Sequence, residues 1–156
     1  MSTAVADLLK DLDAEALEAV MDLGVRRTVA EGEVIFALGD EAREVYLVTG
    51  GQVNLTLPIQ LDGQHQDILV EERVQGQLLG WSGLVPPYRF TLQAKAPGGA
   101  ELLALPRTAL ESLFSQRPDV GYRVLSNLSR IIGQRLQVFQ TMWVRAVQRG
   151  VARSNG

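Results

Sequence analysis

The sequence predicts a mainly β fold with flanking helices: an eight-stranded antiparallel β-roll, jelly-roll-like, with N-terminal helices and a long C-terminal helix. Between about residues 25 and 105, short β-prone runs alternate with turn residues. After Pro106 the apolar residues change to helical spacing. The length of 156 residues suits one compact domain, which we expect at about 1–148, with a flexible tail at 149–156.

The composition argues against several kinds of partner. The net charge is −3, whereas a DNA-binding face is usually strongly basic, so we expect no nucleic-acid partner. No cysteine is present, which excludes disulfides and cysteine-bound metals. There is no apolar run long enough to span a membrane, and Met1–Leu9 lacks the basic start of a secretory signal. We therefore expect a cytoplasmic protein.

The N-terminal part predicts two helical segments. Residues 4–10 are expected to form a short helical turn. Asp13 is placed to cap a helix over about 14–23, because its side chain can accept a hydrogen bond from the first turn. Gly24 is expected to end that helix.

The roll is predicted from short apolar runs and the turns between them. The expected strands include Val34–Phe36, Val45–Val48, Val53–Leu57, Ile68–Val70, Leu78–Leu79, Phe90–Ala94 and Glu101–Leu105. Gly50-Gly51 predicts a hairpin turn between two of these strands. Asp62-Gly63 predicts a second hairpin, and it is the stronger signal. His65 follows this turn in a polar stretch, which indicates a solvated side chain more than a metal ligand.

Two helices are predicted after the roll. A short helix is expected at about 108–115, and Pro118 is well placed near the start of a long helix that runs to about 148. The apolar residues of the long helix are three or four positions apart, as in a coiled-coil seam: Leu125, Leu128, Ile132, Leu136, Phe139, Trp143 and Ala146.

The second half of this helix is expected to extend beyond the small roll. Phe139, Met142 and Trp143 would then be exposed, and exposed apolar patches usually mark an interface. The pattern therefore predicts a symmetric homodimer through the C-terminal helix.

One stretch, Gly76–Ala94, combines backbone and side-chain features of a ligand site. Ser82 can cap a short helical turn, which must end at Val85 because Pro86 follows. Arg89 then begins a strand-like run. A one-turn helix beside an arginine would suit an anion such as a phosphate. The alternative is a tight turn between two strands with a solvent-facing arginine.

In this order and at these separations, the motifs resemble the cyclic-nucleotide-binding domain, as in the bacterial catabolite-activator and Fnr-like regulators. The matching segments are Ala30–Phe36, Leu38–Asp40, Val45–Val53, Gly76–Ala94 and Glu101–Leu105 with Leu110 and Phe114. The resemblance covers roughly 8–142 and implies a bacterial regulatory domain, here without a DNA-binding domain. It places Gly76–Ala94 at the family's phosphate-binding cassette and makes 108–115 the hinge helix.

The cassette departs from the family pattern at two places. The family has Phe-Gly-Glu, whose glutamate holds the ribose hydroxyl, whereas this chain has Leu79-Gly80-Trp81. The family also has an arginine that neutralises the cyclic phosphate. Counting back from Ala94 without gaps puts Tyr88 at that position, and a gap would restore Arg89. Both alignments remain open.

The resemblance leads to two hypotheses about function. The first is a sensor domain with a divergent cassette that binds a cyclic nucleotide, cAMP or a related small phosphate, and signals through its C-terminal helix. The candidate ligand-binding residues are Gly80, Trp81, Ser82, Gly83, Leu84, Tyr88, Arg89 and Thr91. Ser82, Gly83 and Leu84 would donate backbone N–H groups, Arg89 would supply charge, Thr91 a hydroxyl, and Trp81 or Tyr88 a stacking ring. The second is a ligand-free dimerisation or scaffold module that has lost nucleotide binding.

Other functions fit the residues poorly. A metal-dependent β-barrel enzyme of the cupin type needs two or three histidines, and His65 is the only one. Without a cysteine nucleophile or a second histidine we expect no enzyme, no metal and no cofactor. After about residue 148 too little chain remains for a helix-turn-helix, so we expect signalling through another polypeptide, whose identity the sequence does not give.

Overall fold

The computed structural model describes residues 6–155, and it confirms the predicted mainly β fold with flanking helices. At the N-terminal side, a 3₁₀ turn, Asp7–Leu9, precedes helix α1, Ala14–Met21. The helical turn expected at 4–10 begins outside the described residues. The predicted cap is confirmed: an Asp13 carboxylate oxygen accepts a hydrogen bond from the Ala16 N–H at 2.7 Å.

The described residues contain seven strands, all paired antiparallel. They are β1 Val25–Val29, β2 Val34–Phe36, β3 Glu44–Leu61, β4 Gln64–Val74, β5 Leu78–Leu79, β6 Gln93–Lys95 and β7 Ala100–Pro106. An eighth strand was expected, and the run predicted at 90–94 instead starts late, at Gln93. Before it, Arg89 makes only an isolated bridge with Glu41.

The prediction of a hairpin at Gly50-Gly51 is wrong, because β3 runs continuously through both glycines. The pairing of β3 with β7 shifts register between Val48 and Gly50, so the extra residue forms a bulge and bends the strand without reversing it. Gly51 has a φ of +74°, and a Cβ there would lie 2.5 Å from the Gly99 carbonyl oxygen. Long-range packing therefore requires the glycine.

The hairpin at Asp62-Gly63 is confirmed. Leu61 pairs with Gln64, which leaves a two-residue turn, and both turn residues have positive φ, 52° and 76°. This turn joins β3 to β4. Since β3 pairs with β5 and β7 along its first half and with β4 and β6 along its second, one strand holds the whole roll together.

The buried side chains form two clusters, one on each face of β3. Inside the roll lie, among others, Phe36, Tyr46, Leu55, Phe90 and Leu102. Outside the roll, Val45 and Leu47 pack with the N-terminal helices and the C-terminal helices. Successive residues of β3 point to opposite faces, so this strand contributes to both clusters.

The C-terminal part consists of α2, Arg107–Gln116, and α3, Pro118–Ser154. Helix α3 thus continues beyond Gln148 into the segment that we expected to be a flexible tail, of which Gly156 lies outside the described residues. Its buried residues are Val120, Gly121, Val124, Asn127, Leu128, Ile131 and Arg135. None of the helices within residues 6–155 is long and apolar enough to cross a membrane.

Helix α3 contacts the domain along much of its length. Asn127 is buried, and its amide donates hydrogen bonds to the carbonyls of Leu8 and Lys10 at 2.9 and 2.8 Å. Farther along, Phe139 is partly buried against the inner cluster of the roll, although we expected it to be exposed. Met142 and Trp143 are exposed, as expected.

Candidate ligand site at the cassette turn

Within the cassette, strand β5 is followed by a short 3₁₀ helix, Trp81–Leu84, which we call the cassette turn. Gly80 precedes it in the left-handed conformation, with φ 76° and ψ 46°. Ser82 was expected to cap this turn, which is wrong: Ser82 lies buried inside the turn, and Gly80 holds the cap position. The predicted end is confirmed, since Val85 is extended before Pro86.

A small cavity lies between the cassette turn, the roll and α3. Its lining residues are Phe36, Gly80, Trp81, Ser82, Phe90, Thr91, Leu92 and Arg135. Its volume is about 10 Å³, which is room for roughly one water molecule. The Phe36 and Phe90 rings stack with their centroids 3.7 Å apart and form an apolar wall. The site is therefore closed in this conformation.

Four of the eight predicted ligand-binding residues line this cavity: Gly80, Trp81, Ser82 and Thr91. Gly83 packs against the backbone of Glu44, and its N–H already donates to the Gly80 carbonyl at 3.0 Å. Leu84 packs with the outer cluster. Neither Gly83 nor Leu84 lines the cavity, so a ligand would have to rearrange the turn to reach their N–H groups.

Tyr88 and Arg89, the two candidates for the phosphate-facing position, both lie away from the cavity. Arg89 is exposed and donates a hydrogen bond to the Gly39 carbonyl at 3.4 Å. The Tyr88 ring lies under the guanidinium of Arg107, 3.7 Å from the ring centroid to the Arg107 Cζ. In the closed conformation neither side chain can contact a group bound in the cavity.

Arg107, which the sequence did not single out, joins the cassette turn to α2. It is the first residue of α2, and its Nη1 donates hydrogen bonds to the carbonyls of Ala42 and Gly83. A guanidinium that holds two carbonyls and stacks on a ring has little freedom to move. The cassette turn and the start of α2 are therefore held to each other.

The sequence also did not identify Arg135, which reaches the cavity from α3. Arg135 belongs to a charged cluster with Arg73, Asp7 and Glu71, in which the two arginines are buried and the two carboxylates are partly exposed. Glu71 lies 3.0 Å from Arg135 and 2.9 Å from Arg73, and Arg73 is 4.0 Å from Asp7. A signal was present in the sequence, since Arg135 stands four residues after Ile131 and four before Phe139, on the packed face of the helix.

Burial dominates the electrostatics of this cluster. It lowers the pKa of Arg135, and the neighbouring charge of Arg73 lowers that pKa further, while Glu71 opposes the shift. Burial also raises the pKa of Asp7, although Arg73 and backbone N–H groups act in the opposite direction. For Arg135 and Asp7, the partners therefore offset only part of the effect of burial on the pKa.

No metal site is formed within residues 6–155, where no three histidine, aspartate or glutamate side chains converge. His65 lies on β4, is exposed, and is 3.0 Å from the carboxylate of Asp67. Among the described residues, the lining of the cassette cavity combines the aromatic rings of Phe36, Trp81 and Phe90 with one guanidinium, that of Arg135.

The comparison with known proteins identifies the family. Residues 26–117, which include the cassette turn and all of α2, match the family profile of the cyclic nucleotide-binding domain. The chain belongs to this family. The matched segment ends before α3, so the profile does not include Arg135.

Two solved structures illustrate the likeness to this cyclic nucleotide-binding domain. The N-terminal domain of a transcriptional regulator from Streptomyces coelicolor A3(2) is 25% identical with a TM-score of 0.71, covering 87% of this chain and 93% of that one. The Thermus thermophilus catabolite activator protein is 27% identical with a TM-score of 0.75. That match covers 91% of this chain and 63% of the other, so the chain spans less than two thirds of that protein.

A curated relative is much longer. Lysophospholipase nte1 of Neurospora crassa is 31% identical over 111 residues, which is 71% of this chain and 7% of that protein. The cyclic nucleotide-binding domain thus matches only a small part of that protein.

Proposed function

We propose that this domain is a regulatory sensor that binds a cyclic nucleotide, cAMP or a related small phosphate, at the cassette turn and signals through α3. One observation carries the proposal: the cavity has the cassette turn on one side and Arg135 of α3 on the other. A ligand that enters there must displace the turn, the helix or both.

With the cavity closed, a sensor would have to change conformation to bind its ligand. Ligand pockets usually have volumes of roughly 300 Å³ or more, whereas this one has about 10 Å³. The binding-competent conformation must therefore be an open one. A ligand that binds only the open conformation shifts the population toward it, and the fraction open beforehand lowers the apparent affinity.

The contacts of Arg107 provide a route from the cassette turn to the helices. Any displacement of Gly83 changes the hydrogen bond that its carbonyl accepts from the first residue of α2. Helix α2 packs closely on α3, since a Cβ on Gly121 would lie 2.9 Å from the Phe114 side chain. We propose that α2 acts as the hinge helix and passes the movement to α3.

We also propose that α3 pairs with a second copy of the chain. Leu125, Leu136 and Trp143 share one face of the helix and are 47%, 56% and 69% exposed. An exposed apolar stripe at this spacing suits a symmetric helix pair.

The two solved relatives named above come from bacteria, so we propose a bacterial protein. Its location is cytoplasmic if the ligand is an intracellular messenger, and its effector is another protein.

The alternative function is a ligand-free dimerisation or scaffold module. The specific observation in its favour is the filled site, in which Trp81 and the two stacked phenylalanines leave space for one water. The position of Arg89, away from the cavity, also favours the scaffold module.

Calorimetric titration distinguishes the two functions. The purified chain is titrated with cAMP, cGMP and cyclic di-GMP, and saturable heat with any of them supports the sensor. A chain that gives no heat with any of these at its highest soluble concentration, and no change in NMR signals of the cassette turn, supports the scaffold module instead.

A further inference from the structure

Arg135 is the only charged side chain among the described residues that line the cassette cavity. Its side chain is 9% exposed, so more than nine tenths of it is buried. It comes from α3, whereas the other lining residues belong to β2, the cassette turn with Gly80, and the segment before β6. A positive charge is thus placed in the cavity by the helix and not by the cassette.

The hydrogen-bonding capacity of this guanidinium is only partly used. Within residues 6–155 its Nε has no hydrogen-bond partner. The Nη2 of Arg135 lies 3.0 Å from the Oε2 of Glu71, so the ion pair with Glu71 occupies that nitrogen and leaves Nε without a partner. Burial of a charged group without its hydrogen bonds is costly, so an anion that supplied them would bind favourably.

The two carboxylates of the cluster are shared unevenly between its two guanidiniums. Two buried guanidiniums, those of Arg73 and Arg135, share Glu71 as their close carboxylate. The second carboxylate, Asp7, is 4.0 Å from Arg73 and contacts backbone N–H groups as well. Among the described residues, Arg135 thus has Glu71 as its one carboxylate within 4.0 Å, and it shares that carboxylate with Arg73.

We propose that Arg135 binds the phosphate of the ligand in this cavity in place of Arg89, and that Glu71 occupies Arg135 in the ligand-free domain. This inference rests on the proposed sensor function and names the charge partner of that same site. Glu71 then acts as an internal anion that competes with the ligand. Because Arg135 is part of α3, exchanging Glu71 for a phosphate acts directly on the signalling helix.

The test compares matched arginine variants in the full chain by calorimetry with cAMP, cGMP and cyclic di-GMP. Arg135→Gln is expected to weaken binding by roughly tenfold or more, as for loss of a charged hydrogen-bond partner. Arg89→Gln and the exposed α3 control Arg123→Gln are expected to stay within about threefold of the parent. Glu71→Gln is expected to tighten binding, because it removes the competing carboxylate.

Thermal melts of the same variants separate binding from a merely structural role. If Arg135 only stabilises the fold, Arg135→Gln and Glu71→Gln lower the melting temperature similarly and leave the affinity of the folded protein unchanged. That result overturns the inference. Arg135→Lys keeps the charge and is expected to recover part of the affinity. If Arg135→Gln does not fold, the other two variants decide. Tighter binding by Glu71→Gln with unchanged binding by Arg89→Gln supports the inference. Loss of binding in Arg89→Gln without tighter binding by Glu71→Gln overturns it.

The outcomes also distinguish this inference from the proposed function. Binding that Arg89→Gln loses and Arg135→Gln keeps overturns the role of Arg135 and leaves the sensor function intact. Binding by Glu71→Gln but not by the parent supports the competition between Glu71 and the ligand. If neither the parent nor Glu71→Gln binds any of the three nucleotides, both the inference and the sensor function are overturned.

Discussion

Gly80→Ala tests whether the closed cavity has rigid walls. Gly80 has a φ of +76°, which disfavours any residue with a Cβ. An added Cβ would lie 3.1 Å from the Phe90 Cε1 and 3.4 Å from the nearest ring carbons of Phe36 and Tyr46. These rings are themselves stacked, with the Phe36 and Phe90 centroids 3.7 Å apart, so they have little room to yield.

The expected loss of folding stability in Gly80→Ala has two parts. The left-handed conformation costs an alanine about 1–2 kcal/mol, and the crowding adds about 1 kcal/mol, at the low end for an overpacked core. Gly32→Ala is the matched control, because Gly32 has a φ of +78° and no atom within 4 Å of the added Cβ. The change in unfolded-chain entropy is the same for both variants and cancels in the comparison.

The assay is urea denaturation and thermal melting of both variants beside the parent. Gly80→Ala is expected to be less stable than Gly32→Ala by about 1 kcal/mol, or a melting temperature lower by about 3 °C. Equal stability of the two variants would refute the reasoning. It would mean that the Phe90 ring moves aside at no cost and that the cavity opens more easily than its packing indicates.

Three further predictions concern the cluster, the N-terminal contact and the dimer. Asp7→Asn tests the raised pKa of the Asp7 carboxyl. Just above the ordinary pKa of 3.8, this carboxyl binds more protons in the folded parent than in the unfolded chain. The free energy of unfolding of the parent, relative to that of the variant, is therefore expected to fall as pH rises from that value. Urea denaturation across this range measures it, and a relative stability that rises with pH contradicts it. Asn127→Ala leaves two carbonyls of the N-terminal segment without their donor and is expected to cost about 2–3 kcal/mol by the same measurement; a cost under about 0.5 kcal/mol would contradict the contact. If the proposed dimer forms through α3, Leu136→Glu is expected to sediment as a monomer, whereas the neighbouring exposed Gln137→Glu is expected to sediment as a dimer like the parent. Equal sedimentation of the two variants counts against pairing through this face.

Features determined by neighbouring residues were predictable from the sequence. The Asp13 cap, the end of the cassette turn at Val85 and the hairpin at Asp62-Gly63 each depend on local chemistry. Gly50-Gly51 is also a local turn signal, but these two residues lie within a continuous strand and not in a hairpin turn. Its conformation is set by Gly99 and β7, which are distant in the sequence.

The site was less predictable than the fold for a related reason. Counting back from Ala94 to Tyr88 or Arg89 assumes a regular strand with alternating side chains, but Tyr88 has a φ of +58° and the strand begins only at Gln93. Alternation therefore does not apply there. Arg135 contacts Glu71 across a long separation in sequence, and only the register of α3 against the roll brings them together.

The bulge between Val48 and Gly50 limits how the chain can change in length during evolution. Deleting one residue there would rotate the rest of β3 by one pleat, so that Val53 and Leu55 would leave the interior of the roll and Asn54 would enter it. The turn at Asp62-Gly63 has no such constraint, since no atom lies within 4 Å of a Cβ on Gly63. Insertions and deletions should accumulate at that hairpin tip, while the spacing from Glu44 to Leu55 stays fixed.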